Sequence, residues 1–300
     1  MPPKQLRATS TSRGEVKAQL DDLKELAHDP EAQRDLAASY VRSSKNMEVL
    51  RPALTVLREA EDPSLRPLLH EKYAWCAVSP ERNDSGGVVR AAIVRALQPV
   101  IHYDDLPILR QALVSYQTVG LYEVAAELRA ASLVALNDLD PDLAALYAAR
   151  FLHDPQNSNS GEPALTAIRL LAAQQDMVSL FGFASWPTAS AELVAEALRN
   201  LIELPASMIP FLVQQYGESE DEQILLGLYD LLLAHPGRAK WRSVFEHFLR
   251  HSRLLDLYGL VVTQIVVTRD EDLIGLLREL ESEERDPVRI GLLRQALEHA

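Results

Sequence analysis

Three scarcities narrow the reading of this chain before any motif is considered. One cysteine, Cys76, occurs in 300 residues, so no intrachain disulfide can form and a reducing, cytoplasmic setting is expected. Positive charge is short: 30 Lys and Arg stand against 43 Asp and Glu, a net −13. Binding to nucleic acid draws its affinity from cations that displace counterions from phosphates, so general DNA or RNA binding is not expected. Attachment to an anionic membrane surface is disfavoured for the same reason. Long apolar runs are missing too. Leu225–Ala234 and Leu254–Val267 are the most apolar stretches, yet they carry Asp230 and Asp256 and fall short of the roughly 20 apolar residues a span needs. The opening MPPKQLRATSTSRG has no apolar core and does not read as a secretory signal.

The familiar signatures of catalysis are also missing. The chain holds no G-x-S-x-G, no P-loop and no G-x-G-x-x-G. Aromatic residues make up only 6%.

What remains is helix. Ala and Leu dominate from Glu15 onward, apolar residues recur at intervals of three and four, and sustained alternation of period two is absent. Val261–Val267 is the one β-flavoured run, and its helical flanks mark it as a buried helix. Asp29-Pro30, Asp62-Pro63, Asp140-Pro141 and Asp286-Pro287 each place a capping carboxylate before a proline that lacks the N–H a helix start would orphan. Further starts are expected at Asp104-Asp105, Gly161-Glu162, Ser219-Glu220 and Asp270. The punctuation predicts a disordered tail over 1–13, a leading helix at 14–27 and about eight helix pairs after it, forming one domain over 14–300. First helices (A) fall near 30–43, 63–77, 104–117, 140–153, 175–185, 205–216, 238–250 and 270–282. Second helices (B) fall near 46–60, 87–101, 121–137, 161–174, 189–203, 220–234, 252–268 and 286–299.

An internal period favours a repeat array over a bundle. Leu50-Arg51-Pro52-Ala53, Val89-Arg90-Ala91-Ala92 and Leu128-Arg129-Ala130-Ala131 follow one another at about 39 residues, and Val288-Arg289 opens the last B helix in the same way. Two helices per unit at this period imply stacked hairpins, each burying its apolar stripe on its neighbours. Asp62-Pro63-Ser64-Leu65-Arg66, Gly87-Val88-Val89-Arg90-Ala91-Ala92-Ile93-Val94-Arg95-Ala96-Leu97 and Asp286-Pro287-Val288-Arg289 resemble HEAT repeats, especially the phycobilisome-lyase-like bacterial subgroup. The motif is well formed in three or four units, and about 160–250 follows it by rhythm alone. The resemblance implies an all-α fold, a right-handed α-α superhelix of the armadillo/HEAT type, whose surface binds proteins. It also implies a structural ladder for Arg51, Arg90, Arg129 and Arg289, with Asp62, Asp104 and Asp140 as acidic partners.

Candidate chemistry is sparse. His70-Glu71 matches the His-Glu pairs of HEAT-type deoxyhypusine hydroxylases, but it occurs once, where a two-iron site needs such pairs from several repeats. His247 and His251 share a helical face at metal-like spacing, with His235 one helix earlier, but no further ligand is evident. Cys76 sits in the apolar Tyr73-Ala74-Trp75-Cys76-Ala77 and reads as a small buried hydrophobe. Ser85-Gly86-Gly87 marks a loop-to-helix junction with weak anion-binding character. The acidic runs Glu218–Glu222 and Glu281–Asp286 read as solvated loops at helix starts.

No catalytic residue, metal or cofactor is assigned. The expected function is a non-enzymatic scaffold or adaptor for another protein. A bilin-lyase-like enzyme or lyase-associated factor, and a HEAT-fold DNA-lesion-binding protein, are the alternatives. Two loops between A and B helices, Val78–Gly87 and His153–Pro163, should project from one edge, where repeat proteins often bind, and this edge or the concave B-helix surface between is expected to contact the partner. Candidate partner contacts are Arg82, Asn83 and Asp84 in the first loop, Gln156 and Asn157 in the second, and the aromatic group Phe181, Phe183 and Trp186.

Overall fold

The structure is a computed structural model, and it describes residues 13–154, 160–186 and 190–300. It is all-helical, with eighteen α-helices and one two-stranded hairpin among those residues. None of the helices is long and apolar enough to cross a membrane. Of the expected tail, 1–13, only Arg13 is described, as the first residue of α1.

The chain divides into two compact units, one through Ala167 and one from Ile168 to Ala300. The first contains α1 (Arg13–Glu25), α2 (Pro30–Ser43), α3 (Met47–Ala60), α4 (Arg66–Val78), the single turn α5 (Pro80–Asn83), α6 (Val88–Leu97), α7 (Leu106–Leu113), α8 (Ala126–Leu139) and α9 (Pro141–Leu152). A further helix, α10 (Ala164–Ala173), runs across the division. The second unit holds α11 (Met177–Ala184), α12 (Ala191–Arg199), α13 (Ile209–Tyr216), α14 (Glu222–Ala234), α15 (Arg242–His251), α16 (Leu255–Thr268), α17 (Glu271–Glu283) and α18 (Pro287–Leu297).

Helix starts match the expected punctuation. Asp29, Asp140, Asp270 and Asp286 accept hydrogen bonds from the amides of Ala32, Leu143, Leu273 and Val288. Each satisfies a donor that the helix itself leaves without a partner. In the acidic run before α14 the cap is Asp221, which accepts from Gln223 and Ile224. At Asp104-Asp105 the cap is instead His102, whose ring accepts from the Asp104 amide while the Asp105 carboxylate reaches back to the His102 N–H.

The segment expected to continue α7 to residue 117 and to open the next helix at 121 differs. Helix α7 stops at Leu113, α8 begins at Ala126, and between them lie β1 (Thr118–Val119) and β2 (Tyr122–Glu123). The hairpin sequence, Tyr116-Gln117-Thr118-Val119-Gly120-Leu121-Tyr122, carries the β-branched and aromatic residues and central glycine that favour strands and a tight turn over helix.

Packing runs from neighbour to neighbour in both units. In the first, α2 packs on α3, α4 on α6 and α7 on α8, while the B helices α3, α6 and α8 contact one another in succession. In the second, α12, α14, α16 and α18 do the same, with α11, α13 and α17 packed on α12, α14 and α18. On α3 the buried side is Val49, Leu50, Ala53, Leu54 and Leu57, one helical stripe. Each fully buried leucine of that stripe contributes about 1.5–3 kcal/mol.

Small residues set how closely the B helices approach. A Cβ placed on Gly227 of α14 would stand 2.6 Å from Ala195 Cα and 2.7 Å from its carbonyl oxygen on α12. Both are backbone atoms and cannot step aside. Gly275 on α17, in contrast, has nothing within 4 Å of its added Cβ. Gly227→Ala should therefore destabilise the chain by about 1–3 kcal/mol through overpacking. Gly275→Ala should stabilise it by about 0.5–1 kcal/mol through helix propensity. Denaturant unfolding of the two variants checks the opposite signs.

Candidate functional site

The A-to-B connections of the first unit are tied to one another. Helix α5 and the turn after it bring Asp84 back under the start of α6. There its carboxylate accepts from the Val89 amide at 2.7 Å and the Arg90 amide at 3.1 Å, and pairs with Arg90 Nε at 2.8 Å. Asp84 is fully buried and Arg90 nearly so. The anion-binding capacity of this helix N-terminus is thus taken by the chain's own carboxylate. Gly86 and Gly87 make the turn possible, with φ of +79° and +69°. They also let it lie close, since a Cβ on Gly87 would meet Leu128 Cβ at 3.1 Å.

The next connection repeats the device. Glu123, at the end of β2, accepts from the amides of Ala125 (2.8 Å) and Gln117 (3.2 Å) and pairs with Arg129 of α8 at 2.9 Å. In both cases the acid precedes its arginine by six positions. Arg129 is fully buried. Its guanidinium also donates to the Ser115 carbonyl, lies 4.0 Å from the Tyr116 ring centroid, and stands 3.7 Å from Asp154. Tyr116 Oη donates to Asp154 at 2.7 Å, and the Gly86 amide donates to Gln117 Oε1 at 2.6 Å. Three successive connections are joined by these bonds into one edge.

On this base stands an apolar tip. Thr118 pairs with Glu123 and Val119 with Tyr122, leaving Gly120-Leu121 as a two-residue loop. Gly120 has φ of +63°, as the first central position of a type II′ turn requires. Leu121 is 94% exposed, Tyr122 64% and Val119 55%. Val78, also strongly exposed, ends α4 on the preceding connection. Burying Glu123 disfavours its charge, but hydrogen bonds from Arg129, Ala125 and Gln117 outweigh this and hold its carboxyl below the ordinary glutamate value.

The residues expected to contact a partner fall into different environments. Arg82 is exposed, whereas Asn83 is half-buried and donates its side-chain amide to the Trp75 carbonyl. Asp84 must be corrected: it is a buried cap and ion-pair partner and offers no surface. Gln156 and Asn157 lie outside the described residues. Phe183 is likewise corrected, because it is buried in α11. Phe181 is half-buried, with its ring 5.8 Å from that of Phe211 on α13, and Trp186 is 62% exposed. The hairpin tip was not anticipated, although Val119-Gly120-Leu121 marks it in the sequence.

The expected ladder does not form: none of Asp62, Asp104 and Asp140 pairs with Arg51, Arg90, Arg129 or Arg289. Arg289 donates to the carbonyls of Leu249 and Ser252, at the end of α15, and lies 3.5 Å from Glu284. Arg51 is exposed. Asp62 caps Ser64 and faces Arg34 at 3.4 Å, Asp140 caps α9, and Asp104 faces His102 at 3.1 Å. Successive pairs are instead linked by Arg66 to Asp105 (2.9 Å), Arg199 to Asp230 (2.7 Å) and Arg250 to Glu283 (2.8 Å). The acidic run at 281–286 supplies Glu281, Glu283 and Glu284 to such pairs.

The histidines at candidate metal spacing have other contacts. His70 contacts the buried Asp105 at 2.5 Å. His235 donates from Nε2 to the Leu204 carbonyl and accepts from the Gly237 amide at Nδ1. His247 and His251 stack at 4.7 Å, with His251 Nδ1 on its own helix's carbonyl. Among the described residues no three His, Cys, Asp or Glu side chains are placed to hold a metal ion. Burial, with Asp84 adding to it, pushes the Cys76 thiol up to about 12, so it is not a thiolate nucleophile at neutral pH.

Breaking the buried pair beneath the hairpin should cost about 3–5 kcal/mol, because Glu123→Gln leaves Arg129 without its main counter-charge. The pH dependence has a definite sign. Above its ordinary value of 4.5 Glu123 is charged in both folded and unfolded chains and the pair contributes in full. As pH falls from there through the lower folded value, the unfolded chain takes up the proton first and this stability is lost. Thermal melts from pH 7 to pH 3 should show a shallower acid slope for Glu123→Gln than for the unaltered chain.

Comparison of the chain with protein-family models, with curated proteins and with solved structures gives no match.

Proposed function

We propose that the chain is a non-enzymatic binding protein in which each unit is a run of HEAT-like helix pairs wound as a right-handed α-α superhelix. Its ligand is another protein, and the loop edge of the first unit makes the contact. One observation carries this reading: Val119, Leu121 and Tyr122 are held outward on a turn whose base is fastened by a buried arginine and two buried carboxylates. Exposed apolar and aromatic side chains on a fixed support bind with little loss of conformational freedom, which is the property of an interface hot spot. Arg82 and Val78 extend the same edge, and the half-buried Phe181 with the exposed Phe211, ring against ring, forms a separate apolar contact in the second unit.

The reading predicts that Leu121→Ser with Tyr122→Ser keeps the helical signal and the melting temperature of the unaltered chain. The same variant should lose affinity for the physiological partner by about 2–4 kcal/mol, a factor of about 30 to 1,000. Affinity capture from the native cytoplasm, followed by calorimetric titration of the captured protein against both chains, measures this. Equal affinity for both would place the interface elsewhere. Turnover of a small molecule by the unaltered chain would remove the non-enzymatic reading.

A further inference from the structure

A second feature of the first unit lies apart from the loop edge, where the end of α2 meets α4. Lys72 is only 6% exposed, a rare state for a lysine. Its Nζ donates to the Ser44 carbonyl at 2.5 Å, at the C-terminus of α2, and stands 4.6 Å from the centroid of the Trp75 ring. These contacts account for one of its three N–H donors and for one face of the ammonium. Burial lowers its proton affinity below that of an ordinary lysine, and Lys45 pushes in the same direction, against Cys76 and Glu71.

Beside the ammonium is an open cavity of about 180 Å³, whose walls include Arg42, Lys45, Lys72, Glu71, Leu68 and Trp75. The side chains of Arg42 and Lys45 are exposed and have no hydrogen-bond or ion-pair partner among the described residues. Three basic residues and one acidic residue thus line the cavity, in a chain whose net charge is −13. The C-terminus of α2 carries only about half a negative charge, so together with Glu71 it offsets part but not all of the three positive charges.

We propose that this cavity binds a compact oxyanion, a carboxylate or a phosphate, held by Arg42, Lys45 and Lys72 against an apolar wall of Trp75 and Leu68. An anion here supplies the counter-charge that the desolvated ammonium lacks and fills its unused donors with charge-assisted bonds. The volume is below the roughly 300–1,000 Å³ of pockets for drug-sized ligands, so the fitting ligand is an inorganic ion or a small organic acid. The site touches the loop edge only through Asn83, which donates to the Trp75 carbonyl, and the proposal stands whether or not that edge binds a protein.

The test follows the Trp75 indole resonance of the full chain while inorganic phosphate or acetate replaces chloride at constant ionic strength. A saturable shift of Trp75, with Trp186 and Trp241 unmoved, supports the site, and the ion that binds more tightly identifies the group. Arg42→Gln with Lys45→Gln, both on the surface, should weaken binding about tenfold or more while leaving the melting temperature unchanged. Lys72→Met should abolish it, and if that variant does not fold the surface pair alone decides. No saturable shift, an equal response to chloride, or undiminished binding by the surface variant would overturn the proposal.

Discussion

A helix pair of the length found here cannot bury its own apolar stripe, and this constraint shapes everything else in each unit. The stripe on α3 is covered only when α2 lies on one side and α6 on the next. Close covering requires small residues where backbones approach, and α12 against α14 shows the limit, with Gly227 resting on the backbone of Ala195. Small side chains such as alanine suit this packing mode, because within each unit α3, α6 and α8, and α12, α14, α16 and α18, lie against one another in succession.

Polar chemistry serves the same arrangement. Buried Arg90 and Arg129 each take a carboxylate six residues earlier, and that carboxylate also accepts amides at the turn or helix start it adjoins. One charged pair therefore caps backbone donors and fixes the incoming loop. Burying such a pair adds little stability relative to apolar packing, but it penalises every arrangement in which the two groups separate. Arg289 achieves a related result at α18, bonding to the last carbonyls of α15 and approaching Glu284. Loops that would otherwise be free become defined surfaces, and the hairpin of β1 and β2 carries the strongly exposed Leu121.

The helices were legible because their signals are local. An Asp-Pro pair caps the helix it opens, and a period of three to four apolar residues needs no knowledge of distant contacts. The β-flavoured Val261–Val267 is part of helix α16, as its flanks implied, with Val261, Val262, Ile265 and Val266 buried and Val267 exposed. The hairpin was missed because the helical rhythm on both sides was extended across Gln117–Glu123, although Gly120 among β-favouring residues signals a turn. Arg90, Arg129 and Arg289 are structural as expected whereas Arg51 is exposed, and the partners were not legible, because the acids at Asp84 and Glu123 reach their arginines only when the loop folds back. For the same reason Asp84, polar and in a glycine-rich loop, read as surface and proved to be interior. Lys72 was invisible in the sequence, since its burial depends on where α2 ends relative to α4.

The central claim is that the hairpin tip is held rigid in the unbound chain by the charges beneath it. Amide hydrogen exchange of the free protein tests it most directly, read at Gln117, Val124, Ala125 and Gly86, whose N–H groups are bonded within this network. The account predicts protection at these amides approaching that of the interior of α8, lost together when Glu123 is replaced by glutamine. Exchange as fast as in an unstructured peptide would show a tip that is not preorganised, and would contradict the account.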